Sequence, residues 1–216
     1  MNQALIPCTI AEFIFKDLKK RIIEGDLKPG QTLIEEVISA RHGSSRGPIR
    51  ESLRLLLQTG LVEHQPRRGF KVRKYSPDQI KQIYHLRANL EGLVILELKN
   101  NNLNLLEGTL DLSISRMEDC FRKTDLVNYF QENIFFHQQI IDFAKNDILK
   151  KTLALVNEVS LPVRYQMIER SLPSRRSLNY HEKIVERIKE NDFIGAKIVT
   201  EKHILENATP ATQVYA

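Results

Sequence analysis

The apolar pattern of this chain changes character once, near Tyr75, and that change limits it to a mainly α fold in two parts. Ahead of Tyr75, three stretches with helical spacing are separated by glycines. The first runs from Ile10 to Glu24 with Ile10, Phe13, Ile14, Leu18, Ile22 and Ile23 as its apolar face, and Gly25 closes it. Pro29-Gly30 marks a turn, a short second helix fits Ile34 to Arg41, and Gly43 ends it. Ser44 or Ser45 can cap a third helix whose buried stripe is Ile49, Leu53, Leu56 and Leu57; Pro48 is tolerated because the first-turn amides have no intrahelical acceptor. Leu61 to Val72 then reads as two short strands about a Pro66–Gly69 turn. Three helices followed by a basic β-hairpin predict a winged helix-turn-helix over 1–74.

Beyond Tyr75 no strand is convincing. Ser76-Pro77-Asp78 is a helix start, and helical periodicity recurs over 76–99, 102–122, 125–145, 147–170, 174–190 and 192–207, with polar breaks between. This predicts an antiparallel all-α helical bundle over 75–208 and a flexible tail over 209–216. A length of 216 residues suits one or two domains of ordinary size.

Charge follows the same division. Residues 1–74 carry 14 Lys and Arg against 8 Asp and Glu, whereas the remainder carries 18 against 19, so the net charge of +5 originates in the first third. A localised excess of this kind suits a polyanion, because each phosphate contact releases condensed counterions, although a solvated basic face has the same composition. No apolar run approaches the length of about 18 residues that a membrane helix needs, and the first twenty residues lack a signal-peptide pattern, so the expected compartment is the cytoplasm. Cys8 and Cys120 form no CxxC pattern and are read as free thiols. No HExxH, GxSxG, P-loop or GxGxxG sequence is present, which leaves a metal-dependent hydrolase only as a remote alternative.

Arg46 and Arg50 lie four apart at the start of the third helix and share one face, the arrangement that presents two guanidinium forks to a major groove. Ser45 can add a phosphate contact. Arg54 either continues this face or is only solvated. Arg67 and Arg68 precede Gly69, where a bare backbone can approach a phosphate or minor groove. In the helical part, Asn133 and His137 are spaced i to i+4, and His181 and His203 stand on two further predicted helices. Imidazoles with an amide oxygen would suit Zn²⁺, Ni²⁺ or Mn²⁺, and the spacing does not choose among them; ordinary core or surface histidines remain the alternative.

The segments IIEGDLKPGQTLIEE and SRGPIRESLRLLLQTGLVEHQPRRGFKV resemble the GntR family of bacterial transcription regulators. The resemblance implies that Arg46, Arg50 and Gly69 touch DNA. His42 and Ser44 depart from the aliphatic residues usual there and suggest looser packing between helix and turn; Gly47 replaces a common threonine. The stretch from about Pro77 to Asn207, with LRANLE at Leu86–Glu91, the pair Phe136-His137, and His181 and His203, resembles the FadR-type ligand-binding domain, the FCD type. That resemblance implies a divalent metal held by Asn133, His137, His181 and His203, an effector contact from Arg87, and a homodimer on a palindromic duplex. Asn in place of Asp makes the ligand set neutral and favours an anionic effector, such as a small carboxylate, completing the shell. Arg87 has a second reading, a surface salt bridge to Glu91 at i+4. The expectation is a repressor or activator whose effector modulates operator binding, with direct binding of an acyl or other organic ligand, without metal, as the alternative.

Overall fold

The computed structural model describes residues 9–171 and 175–215. Cys8, Ala216 and the expected break around Leu172-Pro173-Ser174 lie outside the described residues. The chain divides into two compact units, Met1–Tyr75 and Ser76–Ala216.

In the first unit, α1 (Ile10–Ile23) begins at a reciprocal cap: the Thr9 hydroxyl accepts from the Glu12 amide while the Glu12 carboxylate accepts from the Thr9 amide. Its Ile14, Leu18 and Ile22 lie one turn apart and are buried. Helix α2 (Glu35–His42) ends at Gly43, whose φ of 58° is the left-handed conformation that glycine reaches without Cβ strain. Helix α3 (Arg46–Gln58) buries Ile49, Leu53 and Leu56 against these two helices. Strands β2 (Val62–Gln65) and β3 (Gly69–Val72) form the expected hairpin with Gln65 opposite Gly69. A third strand, β1 (Thr32–Leu33), pairs with the other edge of β3, giving an antiparallel sheet in the order β1-β3-β2. Two residues are too few to show a period of two, so the sequence carries no strand signal at Thr32-Leu33.

The looser packing anticipated at His42 and Ser44 is replaced by polar ties. His42 lies 3.3 Å from Asp17 of α1 through Nε2 and meets the Phe13 ring edge-on, and the Ser39 hydroxyl donates to the Ser44 carbonyl.

The second unit is a helical bundle of α4 (Pro77–Glu97), a 3₁₀ turn (Leu98–Asn100), α5 (Asn104–Lys123), α6 (Leu126–Phe143), α7 (Asp147–Ser171), α8 (Arg175–Lys189), α9 (Phe193–Glu206) and α10 (Ala208–Tyr215). Ser76 and Gln79 close a capping box ahead of Pro77, as the sequence indicated. Helix α4 packs on α7, α9 and α10, while α5 packs on α6 and α8. Pro162 lies inside α7, where it withdraws one amide from the hydrogen-bond ladder. Cys120 is a free thiol packed at the edge of the bundle core.

Helix α10 corrects the expected flexible tail. Pro210 falls in its first turn, where its missing amide costs nothing, and Ala208, Ala211 and Thr212 are buried against α4 and α7. An Ala211→Asp substitution should therefore lower the unfolding free energy of the bundle by about 3 kcal/mol or more, measured by urea denaturation, because an unpaired carboxylate would enter a fully buried position. Unchanged stability would restore the flexible tail.

Candidate functional site

Two groups of side chains stand out, one in each unit. In the first, Ser45 is the N-cap of α3, but its hydroxyl makes no capping bond. Arg46, Arg50 and Arg54 follow at four-residue spacing and are exposed, while Ile49, Leu53 and Leu56 hold the opposite side in the core. Carboxylates from the first turn of α2 steady two of the three. Arg46 lies 3.1 Å from Glu36, and Arg50 Nε donates to both oxygens of Glu35 at 2.9 and 3.2 Å. With 65% and 59% of these arginine side chains exposed, such pairs contribute at most about 1 kcal/mol and exchange readily for another anion.

The hairpin turn has its own strain. The Arg68 amide donates to the Gln65 carbonyl at 3.0 Å, with Pro66 and Arg67 between them. Arg67 has φ = 64°, the backbone of position i+2 in a type II turn, where Gly or Asn is usual. A non-glycine residue there costs about 1–2 kcal/mol. Gly69 follows with φ = 79°, and a Cβ added there would meet nothing within 4 Å. Arg67 and Arg68 are both exposed, so the turn presents two cations beside the half-buried Gly69.

The second group is buried in the bundle. His137 occupies the core stripe of α6 between Phe136 and Ile140; His181 that of α8 between Leu178 and Ile184; His203 that of α9 beside Ile204. Helical periodicity thus places an imidazole from each of three helices at one point, and their ligand atoms lie within 4.8 Å of one another. Burial disfavours the imidazolium of all three. His203 is lowered to about 3, by burial first and then by repulsion from His137, partly opposed by Glu91. His137 and His181 are lowered for the same leading reason. At neutral pH the cluster is three neutral imidazoles, the protonation state a metal ion requires.

One histidine is oriented from behind. His137 Nδ1 donates to Glu91 Oε2 at 2.9 Å, leaving the lone pair of Nε2 facing His181 Nε2 at 3.4 Å. Glu91 in turn accepts from Arg87 Nη2 at 2.7 Å, and Arg87 Nε donates to Asn157 Oδ1 at 2.9 Å. Burial would raise the Glu91 carboxyl, but Arg87 and the His137 hydrogen bond overcome it and hold the group well below the usual carboxylate range. The i to i+4 pairing read from the sequence is present, but within the bundle rather than on its surface; Arg87 also lines the adjacent cavity. His181 Nδ1 and His203 Nδ1 are buried without a hydrogen-bond partner. Converging neutral imidazoles, an oriented Nε2 and two orphaned ring nitrogens suit a borderline divalent cation.

Asn133, the fourth expected ligand, is buried beside the histidines. Its Oδ1 accepts from Arg164 Nη2 at 2.8 Å, and its Nδ2 lies 3.3 Å from His181 Nε2. Arg164 of α7 was not singled out in the sequence. The available signal was a cation within the run Leu153, Val156, Ser160, Val163 that forms the core face of α7. Arg87, Asn133, Arg164, His137 and His203 border a cavity of about 370 Å³, within the range of small-molecule sites.

Glu91 partners two buried donors at once. Glu91→Gln should lower the unfolding free energy of the bundle by about 3 kcal/mol, measured by calorimetry or denaturant titration, because Arg87 loses its counter-charge in the interior. A loss below about 1 kcal/mol would mean that Arg87 reaches solvent or another anion.

Comparison with known proteins agrees with this architecture. Residues 10–72 match the profile of bacterial regulatory proteins of the gntR family, and residues 82–206 match the FCD domain. The chain is 30% identical over 195 residues to the HTH-type transcriptional regulator YdhC of Bacillus subtilis, covering 88% of this chain and 84% of that one. It is 27% identical over 181 residues to the gluconate operon transcriptional repressor of the same organism, covering 82% and 74%. Among solved structures, Escherichia coli McbR/YncC superposes with a TM-score of 0.81 at 21% identity, over 96% of this chain and 99% of that one. These relatives are transcription regulators rather than enzymes. The chain belongs to the GntR family of bacterial transcription regulators, with an FCD domain following its winged helix-turn-helix.

Proposed function

We propose that this regulator binds a palindromic operator as a homodimer and that a small carboxylate, taken up beside a divalent metal in the bundle, modulates that binding. The observation that carries the reading is the buried convergence of His137, His181 and His203 next to Arg87 on a cavity large enough for a small ligand. His137, His181 and His203 would hold the ion, and Asn133 is the fourth candidate from family resemblance. Zn²⁺, Ni²⁺ and Mn²⁺ all suit the donors. The ion supplies a fixed positive charge that attracts a carboxylate; Arg87 adds a guanidinium to the same cavity wall. No helix among the described residues is long and apolar enough to cross a membrane. Repression is the favoured sign, because a relative of similar length is named a repressor. Binding of an acyl or other organic ligand without metal is the second reading, favoured by the tyrosines and apolar side chains that share the cavity wall.

On DNA, Arg46 and Arg50 read bases from the start of α3, Ser45 and the wing residues Arg67, Arg68 and Gly69 meet the backbone, and Arg54 extends the basic face. The reading is supported by the exposure of Ser45, Arg46, Arg50, Arg54, Arg67 and Arg68 and by the helix and hairpin that carry them. The two-fold symmetry of a dimer accounts for a palindromic site. Ligand binding alters the balance between DNA-competent and DNA-incompetent arrangements.

Selection of bound duplexes from a random pool, followed by affinity measurement across salt concentrations, tests this. Arg46→Ala or Arg50→Ala should each weaken specific binding by about 1–3 kcal/mol and relax preference at one or two base pairs. Arg67→Ala should weaken all duplexes alike and reduce the slope of log K against log salt by about one. Equal affinity of the unmodified protein for every duplex would contradict the operator-specific reading. For the metal, elemental analysis of untagged, metal-supplemented protein should find the ion retained by the unmodified chain and lost from His181→Ala. Absence of the ion from both would favour the metal-free reading.

A further inference from the structure

Arg46 and Arg50 share a face of α3, but the carboxylates beside them hold them at different atoms. Glu36 lies 3.1 Å from Arg46 Nη2, one of the two terminal nitrogens of that guanidinium. Glu35 takes Arg50 at Nε, with both of its oxygens, at 2.9 and 3.2 Å. Nη1 and Nη2 of Arg50 make no hydrogen bond to another described residue. The difference matters for reading a base. Arginine recognises guanine with two N–H donors directed at O6 and N7. Arg46 must leave Glu36 before its terminal pair is free. Arg50 offers its terminal pair with Glu35 still attached, so no exchange is required.

Glu35 is also placed differently from its neighbour. Both stand in the first turn of α2, where a carboxylate complements the helix dipole. That role alone would leave the side chain in water, and the Glu36 side chain is 63% exposed. The Glu35 side chain is only 24% exposed, and both of its oxygens are turned to a residue fifteen positions on, in another helix. A free arginine side chain samples many rotamers and can satisfy itself on any nearby phosphate, which carries no sequence information. Fixing Nε removes part of that freedom before DNA arrives and keeps the planar fork in one place. A base edge that meets the fork gains from this, whereas a phosphate elsewhere does not.

We propose that Glu35 is a positioning residue for base reading: it holds Arg50 at Nε so that Nη1 and Nη2 form a preset fork for guanine, and thereby raises the preference for the operator over other duplexes. This rests on the role given above to Arg50 and deepens it, since it assigns selectivity to an acidic residue on a basic face. Charge alone predicts the opposite of this role. A carboxylate beside DNA repels phosphates, so its removal should tighten every duplex alike. The sign of the change on the selected duplex therefore separates the two.

The test measures the affinity of the full-length chain for its selected duplex and for a scrambled duplex of equal length, by fluorescence anisotropy at fixed salt. The proteins are the unmodified chain, Glu35→Gln, Glu36→Gln, Arg50→Ala and the double variant Glu35→Gln with Arg50→Ala. Glu35→Gln should weaken the selected duplex by about threefold or more, the cost of ordering one long side chain on binding. The scrambled duplex should hold or tighten, and base preference should relax at the pair that Arg50→Ala also relaxes. Glu36→Gln, the control for charge, should tighten both duplexes. With Arg50→Ala in place, Glu35→Gln should no longer weaken the selected duplex, because the group it positions is gone. Unchanged or tighter binding of both duplexes by Glu35→Gln would reduce Glu35 to a surface charge and overturn the proposal. Parallel weakening of both duplexes with a lowered melting temperature would reduce it to a structural role and overturn the proposal equally. An Arg50→Ala variant that binds the selected duplex as the unmodified chain does would overturn the reading of Arg50 and its positioning together. Equal affinity of the unmodified chain for the two duplexes would overturn both along with the operator-specific reading.

Discussion

The bundle depends on a buried chain of hydrogen bonds in which Glu91 accepts from Arg87 on one oxygen and from His137 on the other. Removing either Arg87 or Glu91 would leave its partner as an uncompensated charge in the interior. The chain joins α4 to α6, and Arg87 extends it to Asn157 on α7. It also sets the chemistry of the centre. By accepting the Nδ1 proton of His137 it leaves Nε2 as a lone pair aimed at His181, which is what turns three packed imidazoles into a set of donors.

The polar centre and the apolar core are built from the same helical stripes. On α6, Asn133 and His137 stand at spacing that would otherwise bury leucine or phenylalanine, and Phe136 and Ile140 flank them in the core. His181 on α8 and His203 on α9 do the same. Such substitutions cost stability unless a ligand or ion offsets the lost packing, and the Nδ1 atoms of His181 and His203 are buried without a hydrogen-bond partner. In the DNA-reading unit the division is reversed. Core residues of α3 hold the helix, and Arg46 and Arg50 are left on its exposed face, bridged to Glu36 and Glu35 by pairs weak enough to exchange.

Much of this was legible in the sequence because the decisive elements carry strong local signals. The helix start at Ser76-Pro77 and the stop at Gly43 are read directly, and the histidines fall on apolar stripes that long helices repeat several times. What escaped notice lacks such a signal. Strand β1 is two residues long, and its pairing with β3 is non-local. Helix α10 is hidden by Pro210 and by small residues, which resemble a tail until α4 and α7 cover them. Arg164 sits two residues after a proline in a helix of mixed character, so its pairing with Asn133, thirty-one residues earlier, is visible only once α6 and α7 are brought together. The polar residues at His42 and Ser44 read as departures from a packed turn, whereas partners on α1 and within α2 accommodate them.

The central claim is that the buried centre and the DNA-reading surface act as one regulated unit. The most direct measurement is the affinity of the full chain for its selected duplex, by fluorescence anisotropy at fixed salt, with Zn²⁺ or chelator and with or without saturating carboxylate. The account predicts a change of at least about fivefold between loaded and stripped protein, the lower end of ordinary coupling between sites, and its disappearance in His181→Ala. Identical duplex affinity in every state, with ion and carboxylate demonstrably bound, would contradict it.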